Sequence, residues 1–245
     1  MAVWRAPLIW LAVLLASAGL MPDLLKVLFP DQTAMLYQRD SFLGLLQHHV
    51  LLVVLSASVG TLLAVLGGIL VTRPWGRDFL PLVSQIASIG QTVPPVAVLA
   101  LAVPVLGFGD APTIMALLLY GLLPILRNTL AGLDGISPSV TEAARGMGMS
   151  SWQVLIQTEL PLAGRVILAG IRTSVTINIA TAAIGSTIGA RTLGDPVTAG
   201  LVNGNTAYVL EGAVLIGLLA ITTDSIFEAF ERLWARRFSA LPGAA

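Results

Sequence analysis

The chain has 245 residues, 56% of them hydrophobic and only 11% charged, against roughly 25% charged in an ordinary soluble domain, which argues against a soluble globule. Thirteen Lys and Arg balance thirteen Asp and Glu, so the net charge offers no basis for nucleic-acid binding. With no Cys there is no disulfide, thiolate metal ligand or thiol nucleophile, and a single Lys, Lys26, excludes a phosphate-binding loop ending in Gly-Lys-Ser/Thr. Any nucleotide that powers this protein must be bound by another chain.

The first apolar run is Ala6 to Met21. Arg5 and the small residues Ala16-Ser17-Ala18 also fit a cleavable secretory signal. Leu20 and Met21 carry the apolar stretch past them, which favours a retained helix. Val50 to Val71 gives 22 residues without a charge, enough at about 1.5 Å per residue to cover a hydrocarbon core of about 30 Å. His48-His49 at its outer edge reads as interface polarity rather than as a metal site, because no third ligand is near in sequence.

Phe79 to Leu106 is long enough to span, but Pro94-Pro95 removes two backbone donors from its middle. Inside a membrane such a break is tolerated only within protein or beside water. It therefore either borders a transport path or is a kink sealed by neighbouring helices. Three more spans follow: Thr113 to Leu126, Val166 to Ile188 with one charge at Arg172, and Gly212 to Phe227 with one at Asp224. With the N-terminus inside, nine Arg fall on the inner side, while Lys26, Arg39 and Arg191 fall outside. That bias predicts cytoplasmic N- and C-termini.

The longest inner segment runs from Arg127 to Arg165. Ser137-Pro138 predicts a helix start, and Val140, Ala143, Ala144 and Met147 recur at helical spacing to give one smooth apolar face. Gly146 and Gly148 break that helix. Ser150 with Gln153 then forms a capping-box pattern, and Trp152, Leu155 and Ile156 predict a second short helix that stops before Pro161. Such an element either lies on lipid or presses into a groove on another protein, with Trp152 as anchor and Glu142 and Arg145 for polar contacts.

Glu142-Ala143-Ala144, then Gly148, then Thr158-Glu159-Leu160-Pro161, together resemble the EAA loop of binding-protein-dependent ABC importer permeases. Thr158 stands where the family usually has an aliphatic residue. Further segments are similar to the osmoprotectant branch, which imports glycine betaine, choline and carnitine. They are Gln91-Thr92-Val93-Pro94-Pro95, the stretch from Leu119 to Thr129, and Leu168-Ala169-Gly170-Ile171-Arg172-Thr173 continuing through Ile177-Asn178-Ile179. One outer loop departs: Gly189-Ala190-Arg191-Thr192-Leu193-Gly194 carries Arg and Thr where many relatives have two glycines.

The resemblance implies an all-α polytopic bundle of about six transmembrane helices with a cytoplasmic coupling helix, in a bacterial inner membrane. It covers a permease core over 48–234 with the EAA-type loop at 137–161, while the first apolar run and an outer segment make up 1–47 and a cytoplasmic tail is expected over 235–245. The implied partners are ABC ATP-binding subunits, a second permease subunit, a periplasmic solute-binding protein and membrane lipid. It implies no catalytic residue, cofactor or metal in this chain, and it makes Glu142, Ala143, Ala144, Arg145, Gly148, Trp152, Leu160 and Pro161 the ATPase-docking loop.

Several residues stand beside that loop as expectations. Gln91, Pro94, Pro95, Tyr120, Ser174, Asn178 and Thr181 either line a path or pack helices together. The small polar row of the fifth span favours packing, as does a single ring at Tyr120, which is no aromatic cage. Arg172 and Asp224 lie at matching depths, counted from the inner arginines, and are expected to form an ion pair between the last two spans. The rivals are a permease for another small solute, such as an amino acid or a sulfonate, and an ion-coupled transporter using those two charges.

Overall fold

The computed structural model describes residues 2–30, 32 and 34–238. Ten α-helices are found among them: α1 Arg5–Leu28, α2 Phe42–Thr72, α3 Leu80–Thr92, α4 Pro95–Leu106, α5 Asp110–Asp134, α6 Pro138–Gly146, α7 Ser151–Val154, α8 Leu160–Ala182, α9 Asp195–Asn203 and α10 Thr206–Phe238. Four continuous stretches are long and apolar enough to cross a membrane, and two bent helix pairs raise the number to six. One bent pair is α1, turned by 64° near Ser17. The other is α3 with α4, turned by 99° at Val93-Pro94.

The centre of the bundle is a three-helix packing of α2, α5 and α8, with α10 against α8 and α1 against α10. Its apolar core runs from Leu45 and Leu52 on α2 through Leu117 on α5 and Ile179 on α8 to Leu215 on α10. α2 is apolar on every side. Leu51, Val54, Leu62 and Leu66 are exposed on its outer face, as suits a helix that meets lipid there. Small residues let the helices close up. A Cβ on Gly121 of α5 would lie 2.5 Å from the Ser174 Oγ of α8, and one on Gly170 of α8 would lie 2.6 Å from the Asn128 Cβ of α5.

The expected boundaries at 47/48 and 234/235 both fall inside helices, because α2 begins at Phe42, capped by the Ser41 hydroxyl, and α10 continues to Phe238. The expected tail beyond 238 lies outside the described residues. The outer loop holds a helix, α9, that the apolar runs do not announce. Arg191 and Thr192 fit it without strain, since among the described residues only glycines have positive φ, Gly189 at 84° and Gly204 at 67° being those in this loop. The guanidinium of Arg191 donates to Asp40 (Nε to Oδ2 2.8 Å), and the buried Thr192 hydroxyl accepts from Gly194 N at 3.0 Å. The same outer strap is held by Tyr37 N donating to Glu211 Oε2 at 2.9 Å and Asn205 Nδ2 donating to Ala34 O at 2.7 Å.

His49 corrects the expectation of interface polarity. It is fully buried, its Nδ1 accepts from Leu193 N at 3.2 Å, and its Nε2 lies 3.1 Å from Ile179 O. One nitrogen accepting and the other facing a carbonyl fixes a neutral ring with the proton on Nε2. His48 meets Asp110 at 2.9 Å, joining the outer ends of α2 and α5.

Candidate functional site

The 137–161 loop begins with α6. Pro138 stands in its first turn, where no backbone donor is missed. The Ser137 hydroxyl meets Ser139 Oγ at 2.8 Å rather than capping the helix. The bend beyond α6 needs Gly148, whose φ of 86° is left-handed. The capping box is complete: Gln153 N donates to Ser150 Oγ, and Ser150 N donates to Gln153 Oε1 at 2.8 Å.

Two expectations about this loop are corrected. The apolar face of α6 is divided, since Ala144 is 3% exposed and turned into its own chain, while Ala143 is exposed and Met147 is 73% exposed. Nor does the second helix stop before Pro161. It passes from α7 through a π-helical turn, Leu155–Glu159, directly into α8. Pro161 has no N–H for the carbonyl four residues earlier, and the wider turn, with Leu160 N donating to Leu155 O, lets the helix continue past it. The surface left open to a partner carries Glu142, Ala143, Arg145, Met147, Trp152 at 67% exposure and Ile156.

The exit of the loop is tied to two other spans. Glu159, 9% exposed, accepts from the Arg73 guanidinium beyond the end of α2 at 2.6 Å, and Pro161 O accepts from Trp234 Nε1 of α10 at 3.1 Å. Sequence reasoning missed both, because the partners lie far along the chain and Glu159 reads there only as part of a motif.

The helix break is interlocked with α5. Pro124 leaves the Tyr120 carbonyl without its usual donor four residues on, and Gln91 Nε2 supplies one at 2.9 Å. In return the Tyr120 hydroxyl donates to Val93 O, at the break itself. Asn128 Nδ2 donates to Pro124 O at 2.9 Å, and Gly170 packs against the same pair. Tyr120 is buried and Pro94 exposed, so α5 closes one side of the break. Ser174 and Asn178 are fully buried against Gly121, with Ser174 Oγ and both Asn178 amide atoms lacking a partner among the described residues. Thr181 donates to Ile177 O at 2.9 Å. The row therefore lies in the α5–α8 contact.

Arg172 and Asp224 stand side by side, with two parallel hydrogen bonds of 2.6 Å each. Glu231, two turns further along α10, lies 3.6 Å from the same guanidinium and went unnoticed in sequence.

Residues 60–236 match the family described as binding-protein-dependent transport system inner membrane component. The chain belongs to that family. It is 42% identical to the osmoprotectant import permease protein OsmY of Salmonella typhimurium, over 76% of this chain and 79% of the relative. It is 41% identical to the carnitine transport permease protein OpuCB of Listeria monocytogenes over 72% and 80%, and 39% identical to the choline transport system permease protein OpuBB of Bacillus subtilis over 75% and 84%. The fold is that of ABC importer permeases: a chain of the inward-facing MetNI methionine ABC transporter superposes with a TM-score of 0.69 at 21% identity, covering 80% of this chain and 99% of that one. Family and spans together make this permease a multi-pass inner-membrane transport component.

Proposed function

We propose that this permease is the membrane subunit of an ATP-driven importer for a quaternary-ammonium osmoprotectant such as glycine betaine, choline or carnitine. The observation that carries the reading is identity near 40% to permeases named for those solutes, over most of both chains. The solved neighbours, near 20% identity, bear on fold alone.

In this reading ATP-binding subunits receive the 137–161 loop at the cytoplasmic face, a second permease subunit completes the pathway, and a periplasmic binding protein delivers solute. The exposed surface of Ala143, Met147 and Trp152 supplies apolar contact, and Glu142 and Arg145 supply charge pairing at its rim. The N- and C-termini are cytoplasmic. The ion-coupled alternative loses ground because Arg172 and Asp224 already engage each other through both guanidinium bonds.

Copurification tests the assembly. An ATP-binding subunit coexpressed with a tagged permease is expected to remain bound through solubilisation and to hydrolyse ATP faster when loaded binding protein is added. Solute flux through the permease alone, driven by an ion gradient, would contradict the reading.

A further inference from the structure

The coupling loop meets the bundle at the π-helical turn. α6 packs on α7 and on that turn, and the turn runs into α8. A displacement imposed at the exposed surface of α6 and α7 therefore reaches Leu155–Glu159 directly. Glu159 closes the turn, and its carboxylate reaches Arg73 Nη2 at 2.6 Å. Both side chains are shielded, at 23% exposure for Arg73 and 11% for Glu159.

Arg73 is itself held. Its Nε donates to Ile69 O at 3.3 Å, closing the last turn of α2, and Pro74 behind it prevents the helix from continuing. The guanidinium thus bonds a carbonyl in the last turn of a 31-residue span, one that also accepts from the Thr72 hydroxyl at 2.8 Å, and, at the same time, a carboxylate from the coupling element. Such a doubly engaged charge pair at low exposure is short and directional, and removing either partner leaves the other charge shielded without compensation.

We propose that Arg73 and Glu159 form a positioning strut that passes movement of the ATPase-docking loop to α2, so that α2 and α8 move together in the transport cycle. Neither residue touches solute or nucleotide. The strut adds a named route to the importer reading and rests on it. It predicts a separation that a merely structural contact does not: loss of the pair uncouples ATP hydrolysis from uptake while the complex stays assembled.

The test uses the whole importer, with ATP-binding subunits and binding protein, in proteoliposomes, and reads uptake of radiolabelled choline, glycine betaine or carnitine per ATP hydrolysed. Glu159→Gln and Arg73→Gln should assemble as the unaltered complex does and still hydrolyse ATP, while uptake per ATP falls about tenfold, in line with the loss of one charge-assisted hydrogen bond. Arg73→Lys, which keeps the charge, should retain most of the ratio, and exchanging the two charges by Arg73→Glu with Glu159→Arg should recover much of it. An unchanged ratio in Glu159→Gln overturns the strut. So does a loss of assembly in both single variants that the exchanged pair fails to restore, because that is structural support alone. The unaltered importer reports separately on the underlying reading: if it shows no ATP-driven uptake of choline, glycine betaine or carnitine, that reading fails and the strut fails with it.

Discussion

Arg172 joins α8 to α10 through both of its bonds to Asp224, with Glu231 beside them. Arg172→Ala should lower assembly yield more than Asp224→Ala, since it leaves two carboxylates without their cation, whereas the second change leaves Glu231 as a partner. The double variant should cost less than the sum of the single ones, by about 1 kcal/mol or more in a thermal-stability cycle. Strict additivity would remove the pair as an energetic unit. Counting residues from the inner arginines is enough to bring Arg172 and Asp224 to one level. Glu231 escapes that count because it sits in the arginine-rich inner end, where a carboxylate reads as surface charge. Gln91 and Tyr120 stand among the candidates in sequence, but the bonds between their segments do not, because the partners lie 29 and 27 residues apart, although Pro124 four residues after Tyr120 marks an orphaned carbonyl that some donor has to meet.

Between the loop and the strap, the hydrogen bond from Arg191 holds the Asp40 carboxyl below its ordinary value of 3.8. A carboxylate whose pKa is lowered on folding stabilises the fold above its unfolded value, and that contribution is lost as pH falls through the lowered one. Arg191→Gly should therefore reduce thermal stability slightly at neutral pH, and the difference from the unaltered protein should fade in acid below the carboxylate range. A difference of equal size at both pH values would show that Arg191 acts through packing instead. Arg191 thus clamps the strap to the loop through a partner that lies 151 residues away.

At the scale of elements, the capping box and the break at Pro94-Pro95 were legible because each rests on local chemistry: a hydroxyl facing an amide, and a missing N–H. The path of the chain after α7 was not. A proline ordinarily ends a helix, and nothing within a few residues of Pro161 reveals the wider turn that carries α7 into α8. Nor does helical spacing tell which part of an apolar face turns inward, which is why Ala144 was grouped with Ala143. The division leads to paired expectations. Ala143→Asp changes an exposed residue and should weaken retention of the ATP-binding subunit while leaving the permease folded. Ala144→Asp buries a carboxylate in its own chain, costs several kcal/mol, and should lower the yield of the permease itself. Pull-down of the ATP-binding subunit, normalised to folded permease, separates the two. Equal retention by Ala143→Asp and the unaltered protein would place the contact elsewhere on the loop.

At the scale of the molecule, four continuous spans and two bent pairs among the described residues form a bundle in which α3, α4, α5 and α8 hold one another. Gln91 serves α5, Tyr120 serves the α3–α4 break, and Gly170 lets α8 close on Asn128. Those contacts pack the helices of one chain together, and solute specificity must be measured. The most direct measurement is uptake of radiolabelled choline, glycine betaine and carnitine into proteoliposomes containing the complete importer, with and without enclosed ATP. The account predicts accumulation of at least one of these solutes that requires ATP, the ATP-binding subunits and the binding protein together. Accumulation of none of them, with ATP-dependent uptake of an amino acid or a sulfonate in their place, would contradict it.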